Sequence, residues 1–183
     1  LEGNLGTAVM KISAVAPDHR VIEAPVRVFH DQADVKSAFK AGEFTSDTIV
    51  VVRFQGPKFN GMPELHGLTP VLSILQGRGL KVALVTDGRM SGASGKVPAA
   101  IHVSPEAADG GLIAKLRDGD MLRIDAMRGS LEVLTEGVKA REAAKAEHSP
   151  GSFQMGRELF AAFRDRVGPA DRGASIFGDT ICA

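Results

Sequence analysis

The sequence predicts an α/β domain with a mixed, barrel-like sheet and helices outside it. Residues 48–54 and 81–86 are apolar runs rich in β-branched side chains, which are typical of strands buried on both faces. Residues 21–29 alternate around apolar positions, as a strand with one buried face does. Short helical patterns stand among these strands, and this mixed order favours a mixed sheet or small barrel over a doubly wound sheet.

The first elements come from strand and cap signals. Residues 7–15 are a predicted strand, and a second strand follows at residues 21–29. Asp31 can cap a short helix, because its side chain can accept from the first free backbone N–H groups, and Gly42 can end that helix. The buried strand at residues 48–54 comes next.

A helix and a second buried strand occupy the middle of the chain. Apolar side chains recur at helical spacing after a polar loop, and Gly77 and Gly79 end the helix that they predict. These apolar residues are Leu68, Val71, Leu72 and Leu75. The strand at residues 81–86 then leads directly into a second glycine-rich loop.

The remaining elements are shorter. We expect a strand at residues 99–103 and a helical turn at residues 105–108. Residues 120–126 and 130–134 form a predicted hairpin around Arg128-Gly129. Residues 1–135 are therefore assigned to one α/β domain.

Residues 136–183 have a different composition, rich in Ala, Glu, Lys and Arg. We predict a helical C-terminal extension packed on the domain, with a break at residues 149–151. The charged run near residue 140 is expected to be an exposed helical face.

Composition excludes several classes of partner. The 22 basic residues balance 22 acidic ones, which favours neither nucleic acid nor an anionic membrane as a partner. No apolar run approaches the roughly 20 residues of a membrane-spanning helix. The single cysteine, Cys182, can form neither an internal disulfide nor a cysteine-ligated cluster, so we predict a reducing, cytoplasmic location. The chain begins at Leu1 rather than Met, which is expected of a piece of a longer protein.

Two polar, glycine-rich loops are the candidate sites. They span residues 56–66 and 86–96, each after a buried strand, where binding sites are commonly built. Their glycines allow close backbone approach to a ligand, although solvated connections have the same composition. A P-loop is excluded because Met90 and Val97 stand where that motif needs Gly and Ser or Thr. Ser91 has no nucleophile-elbow context and no nearby histidine in the sequence, so a hydrolase triad is not predicted.

Single residues in these loops allow more than one interpretation. Glu64 can bind a metal ion or simply favour the start of a helix. His66 and His102 can be ligands or structural histidines. Arg89 and Lys96 can bind a substrate anion or be solvated.

The order and spacing of two motifs are specific. They are Gly61-Met62-Pro63-Glu64 and Asp87-Gly88-Arg89-Met90-Ser91-Gly92. With them the chain resembles the dihydroxyacid and 6-phosphogluconate dehydratase family over residues 3–134. Residues 62–66, 92–98 and 100–107 resemble the 6-phosphogluconate branch.

The resemblance implies a swivelling β/β/α domain at the C-terminal end of a longer hydro-lyase. The implied reaction converts 6-phospho-D-gluconate to 2-dehydro-3-deoxy-6-phosphogluconate and water. An N-terminal domain of the same enzyme would carry the ligands of an iron–sulfur cluster, Mg²⁺ would be a second cofactor, and the parent would be a homodimer. This chain alone would then be inactive.

The resemblance also implies roles for single residues. Glu64 would bind Mg²⁺, and Ser91 would be the catalytic base. Ser94 would contact the substrate. Arg89, Lys96 and His66 are candidates for contacts with its carboxylate or phosphate. Two alternatives stay open: another dehydratase of the family, acting on dihydroxyacids or unphosphorylated sugar acids, and a stand-alone ligand- or partner-binding module.

Overall fold

A computed structural model describes residues 1–91, 95–146 and 158–177. Eight strands close into one barrel in the order β1-β2-β6-β5-β4-β3-β7-β8. The strands are β1 (Glu2–Gly3), β2 (Gly6–Val9), β3 (Val21–Phe29), β4 (Thr48–Val52), β5 (Val82–Thr86), β6 (Ala99–Ser104), β7 (Met121–Asp125) and β8 (Ser130–Val133). The helices of the described residues are α1 (Gln32–Lys40), α2 (Thr69–Gly77) and α3 (Ala161–Arg166). The α/β prediction with a mixed, barrel-like sheet is confirmed.

Both strand orientations occur in the barrel. Strands β3 to β6 are parallel to one another, with β4 between β3 and β5. Antiparallel pairs join β3 to β7 and β7 to β8. Because β4 and β5 are parallel neighbours, their carboxyl ends lie at the same end of the barrel, and so do the loops that follow them.

The central strands are buried on both faces. Ile49 and Val51 of β4 belong to the core inside the barrel, whereas Val50 and Val52 face a second core outside it. Leu72 of α2 belongs to that second core, together with residues of α1. This arrangement explains why the run at residues 48–54 is apolar throughout rather than alternating.

Helix α1 begins as predicted. The Asp31 carboxylate accepts a hydrogen bond from the Ala33 N–H at 2.7 Å. The predicted helix between Leu68 and Gly77 is α2. The predicted hairpin is confirmed as β7 and β8, and Gly129 in its turn has a positive φ of 70°.

The barrel is closed by a segment that the sequence does not identify as a strand. Glu2 of β1 pairs in parallel with Ser130 of β8. The Asn4 side chain donates to the Val133 carbonyl at 2.8 Å and accepts from the Val133 N–H at 2.7 Å. The Asn4 side chain therefore makes the hydrogen bonds to β8 that a further backbone pair between β1 and β8 would make.

Two predicted strands end earlier than expected. The strand predicted at residues 7–15 ends at Val9, which pairs with Ile101 of β6. The strand predicted at residues 48–54 ends at Val52, because Phe54 turns to a φ of +62°. Its N–H donates to a side chain instead of the sheet.

The tail differs from its prediction near residue 140. Residues 138–140 form a single 3₁₀ turn, and residues 142–146 are not helical. The Ala144 N–H donates to the Ala114 carbonyl at 2.8 Å, and Arg141 pairs with Asp120 at 2.6 Å. These contacts hold the segment against the barrel in spite of its helix-forming composition.

Helix α3 lies further along the tail, and the predicted break at residues 149–151 is outside the described residues. The division between residues 1–135 and 136–183 stays a prediction. Within the described ranges, no helix has the length and apolar character needed to span a membrane.

Candidate active site at the carboxyl ends of the parallel strands

The two glycine-rich loops meet above the ends of β4 and β5. Glu64 in the first loop and Arg89 in the second form an isolated parallel bridge. The Leu65 N–H donates to the Arg89 carbonyl at 3.1 Å. The prediction that these loops adjoin buried strands is confirmed, and the structure adds that they contact each other.

Asp87 holds the base of this site. Its carboxylate is fully buried and accepts hydrogen bonds from the N–H groups of Phe54 at 3.1 Å, Gln55 at 2.8 Å and Ala107 at 2.9 Å. Burial raises the pKa of Asp87, and the backbone hydrogen bonds oppose that shift. One side chain thereby joins the segments that follow β4, β5 and β6.

Glu106 is a second buried carboxyl group beneath the first loop. It accepts from the N–H groups of Lys58 and Phe59, each at 3.1 Å. Burial raises the pKa of Glu106 to about 7, in spite of these hydrogen bonds. A Cβ atom at Gly56 would lie 2.4 Å from its Oε2, so only glycine lets the loop approach so closely.

The half-buried carboxylate of Glu64 joins both loops. Its Oε1 accepts from the backbone N–H of His66 at 2.9 Å and from that of Ser91 at 2.8 Å. Its Oε2 lies 3.4 Å from Nη1 of Arg89. Arg89 also donates from Nε to the Met62 carbonyl at 2.8 Å, which holds the guanidinium across the first loop.

Ser91 and His66 are in direct contact. The Ser91 Oγ lies 3.2 Å from Nδ1 of His66, and both residues are exposed. No histidine is near Ser91 in the sequence, but the fold brings His66 to it from 25 positions away. Glu64 accepts from the His66 backbone rather than from its ring, so these three residues are not arranged as a hydrolase triad.

The structure thus brings together Glu64, His66, Arg89 and Ser91. Lys96 is exposed, and within the described residues no hydrogen bond or ion pair links its side chain to those four. Ser94 lies outside the described residues.

The pocket beside Ser91 is small. It has a volume of about 100 Å³, and its lining includes Val9, Met90 and Ile101. Pockets for small molecules usually measure roughly 300–1,000 Å³. The described residues therefore enclose no pocket of that size at Ser91.

Glu64 is the candidate metal ligand of the site. No group of three or more His, Cys, Asp or Glu side chains capable of holding a metal occurs in the part of the chain that the structure describes. The Glu64 side chain is 35% exposed and a hard carboxylate oxygen suits Mg²⁺, but its Oε2 is paired with Arg89 at 3.4 Å, so a metal there would have to displace that ion pair. With one cysteine in the whole sequence, an iron–sulfur cluster would need ligands from elsewhere.

Sequence reasoning missed the structural roles of Asp87 and Glu106 at the site, and it left the role of His102 open. Asp87 and Glu106 carry no local signal of burial, although both stand next to apolar strands. His102 has a positive φ of 58°, and its N–H donates to the Gly88 carbonyl at 2.9 Å. Burial, followed by the charge of Arg89, lowers the pKa of His102.

Comparisons with known proteins agree on one family. The family model described as dihydroxy-acid/6-phosphogluconate dehydratase C-terminal matches residues 1–174. The phosphogluconate dehydratase of Pseudomonas aeruginosa is 60% identical over 183 residues, 99% of this chain and 30% of that protein. That of Rhizobium meliloti is 62% identical over 178 residues, 96% of this chain and 29% of that protein.

A relative with another name is less similar. The dihydroxy-acid dehydratase of Lachnoclostridium phytofermentans is 38% identical over 180 residues, 96% of this chain and 32% of that protein. The chain therefore spans about 30% of the length of the curated relatives it matches.

Proposed function

The chain belongs to the dihydroxy-acid/6-phosphogluconate dehydratase C-terminal family, and we propose that it forms one wall of the active site of a phosphogluconate dehydratase. The complete enzyme would convert 6-phospho-D-gluconate to 2-dehydro-3-deoxy-6-phosphogluconate and water. The observation that carries this proposal is the meeting of Glu64, Arg89 and Ser91 on the two loops whose motifs carry the resemblance to the family. The higher identity to the relatives named phosphogluconate dehydratase favours this substrate over a branched-chain dihydroxyacid.

The chemistry requires a base and a stabilised leaving group. The C2 proton is removed, the C3 hydroxyl departs with a proton as water, and the resulting enol tautomerises to the 2-keto-3-deoxy acid. Mg²⁺ and an iron–sulfur cluster, when bound, supply Lewis acidity that stabilises the developing negative charge and the departing oxygen. Glu64 would contribute one oxygen ligand to Mg²⁺, and cysteines of an N-terminal domain would hold the cluster.

Ser91 would take the C2 proton. A serine hydroxyl is too weak an acid to ionise unaided, so it needs positive charge nearby to stabilise its alkoxide. The Ser91 N–H is fixed on Glu64, and its exposed side chain can reach a substrate above the loops. Arg89 and Lys96 are exposed cations that can contact the substrate carboxylate or phosphate, and Ser94 is a further candidate contact.

Ser91→Ala tests the base. We expect the substitution, made in the complete enzyme, to lower kcat by about 10²–10⁴-fold while substrate affinity and cluster content persist. Exchange of the C2 hydrogen with deuterated solvent should disappear together with turnover. Ser37→Ala, an exposed serine of α1, is the matched control. A Ser91→Ala enzyme that keeps more than about a tenth of wild-type kcat has lost less than about 1.4 kcal/mol of transition-state stabilisation, too little for a sole base.

Glu64→Gln tests the metal ligand. Glutamine keeps an oxygen that can accept the His66 and Ser91 N–H groups but loses the charge that Mg²⁺ prefers. We expect a higher Mg²⁺ concentration for half-maximal activity, measured by Mg²⁺ titration, with an unchanged thermal unfolding midpoint. An unchanged Mg²⁺ titration would leave Glu64 with its role in joining the loops only.

The substrate test compares 6-phosphogluconate, gluconate and 2,3-dihydroxyisovalerate. Preferred turnover of the first supports the proposal, and preference for either of the others identifies another dehydratase of the family. No turnover of any of them by the complete cluster-loaded enzyme would favour a ligand- or partner-binding role. The proposal includes a homodimeric, cytoplasmic enzyme, which light scattering and cell fractionation can check.

A further inference from the structure

The contact between Ser91 and His66 points to a role for His66 beyond substrate binding. We propose that His66 is a positioning residue that donates a hydrogen bond from its Nδ1–H to the Ser91 oxygen and so directs that oxygen towards the substrate. The inference rests on the proposed function of Ser91 as the base. Its geometric evidence is the 3.2 Å separation between the Ser91 Oγ and the His66 Nδ1.

Glu64 makes this contact a built arrangement. Its Oε1 accepts from the backbone N–H groups of both His66 and Ser91, at 2.9 and 2.8 Å. Two backbone segments held on one oxygen atom place their side chains next to each other. The same pair is then joined a second time through the side chains, so the three residues form a closed ring of hydrogen bonds.

His66 is the better-anchored member of the pair. It begins the 3₁₀ turn His66–Leu68, which continues directly into α2. Leu65 and Leu68 on either side of it are fully buried. Ser91 stands on a loop after β5, so the positioning acts from His66 towards Ser91.

The direction of the hydrogen bond decides its consequence. A base that acts as an alkoxide has no proton to donate, so an unprotonated Nδ1 would face it lone pair to lone pair. A protonated Nδ1 instead donates to one lone pair of the serine oxygen and leaves the others available to the substrate proton. Only the second arrangement suits the alkoxide, and it requires the tautomer with the proton on Nδ1.

Three substitutions of His66 in the complete enzyme test the proposal. Asn places an amide atom near the position of Nδ1, whereas Gln extends its amide towards that of Nε2. We expect His66→Ala to lower kcat by about 10-fold or more with little change in KM, because the reacting oxygen loses its orientation. His66→Asn should recover part of that loss, and His66→Gln should not.

A different pattern would overturn the inference. A raised KM with unchanged kcat in His66→Ala would make His66 a contact for the substrate anion. Equal kcat for the Asn, Gln and Ala variants would show that no group at the Nδ1 position matters. The double variant with Ser91→Ala should be no slower than Ser91→Ala alone, since the two residues act as one unit.

A measurement without turnover separates this inference from the proposed function. Nitrogen chemical shifts of His66 in this chain report its tautomer. We expect Nδ1 to carry the proton and its shift to change in Ser91→Ala. An unprotonated Nδ1 overturns the inference whatever the enzyme turns over. Absence of dehydration by a complete enzyme whose His66 shows the expected tautomer refutes the proposed function alone.

Discussion

Asp87 and Glu106 determine the path of the loops that carry the site. Both carboxyl groups are buried, and both accept hydrogen bonds from backbone N–H groups of neighbouring segments. Buried carboxylates are costly to ionise, so their hydrogen bonds must offset much of the lost hydration. These two buried carboxyl groups fix the geometry of the loops at a cost in folding free energy that apolar side chains in their place would not have.

Glu106 gives the domain a pH-dependent stability. Burial raises its pKa from 4.5 to about 7, with smaller contributions from the charges of Asp87 and Asp109. Between these values the folded chain binds more protons than the unfolded chain, so the free energy of unfolding falls as the pH rises. The contribution of Glu106 to this fall is at most about 3 kcal/mol.

Glu106→Gln should remove that contribution. Its amide cannot ionise, and its NH₂ group faces the N–H of Lys58 or Phe59, so we expect a less stable domain at pH 5 by about 1–3 kcal/mol. The difference from wild type should shrink from about pH 5 to 8. Urea denaturation of both chains across this range measures it, and parallel stability curves would contradict the assigned pKa.

At the scale of elements, Gly6 shows how closely β2 approaches β6. Its φ is +124°, and a Cβ atom there would lie 2.2 Å from the carbonyl oxygen of Ser104. Gly42, after α1, has a φ of +73° and open space around it. A substitution at Gly42 therefore meets backbone strain alone, whereas one at Gly6 meets backbone strain and a steric clash.

We expect Gly6→Ala to lower the free energy of unfolding by about 3 kcal/mol or more, because the alanine meets a fixed backbone atom in a strained conformation. Gly42→Ala should cost about 1–2 kcal/mol through strain alone. Chemical denaturation of both variants measures the two losses. Equal losses would show that the strands can move apart at Gly6 without cost.

The sequence predicts the elements in their centres better than at their ends. Because β4 is buried on both faces, its composition is apolar throughout and can be recognised in the sequence. The end of β4 instead depends on Asp87, which follows the neighbouring strand β5 and accepts the Phe54 N–H. The candidate site shows the same division. Motifs identify Glu64 and Ser91, whereas the contact of Ser91 with His66 depends on two loops meeting in space. Local patterns carry no information about such partners.

At the scale of the whole molecule, the candidate site is open. The pocket next to Ser91 has a volume of about 100 Å³, and Glu64 is the candidate metal ligand among the described residues of the two loops. We therefore expect this chain alone, after anaerobic incubation with iron and sulfide, to bind no cluster and to leave 6-phosphogluconate unchanged. Visible absorption and iron content measure the first result, and a keto-acid assay measures the second. A stoichiometric chromophore or product would show that the chain holds a complete active site.

The closure of the barrel through β1 and β8 has a consequence for how the domain folds. That pair joins Glu2 to Ser130, and β2 pairs with β6 across an interval nearly as long. Folding must therefore close long loops before these contacts contribute any free energy, which slows two-state folding towards the range of milliseconds to seconds. During synthesis, β1 and β2 must wait for partners that leave the ribosome much later. Until then their edges are open to pairing with other chains.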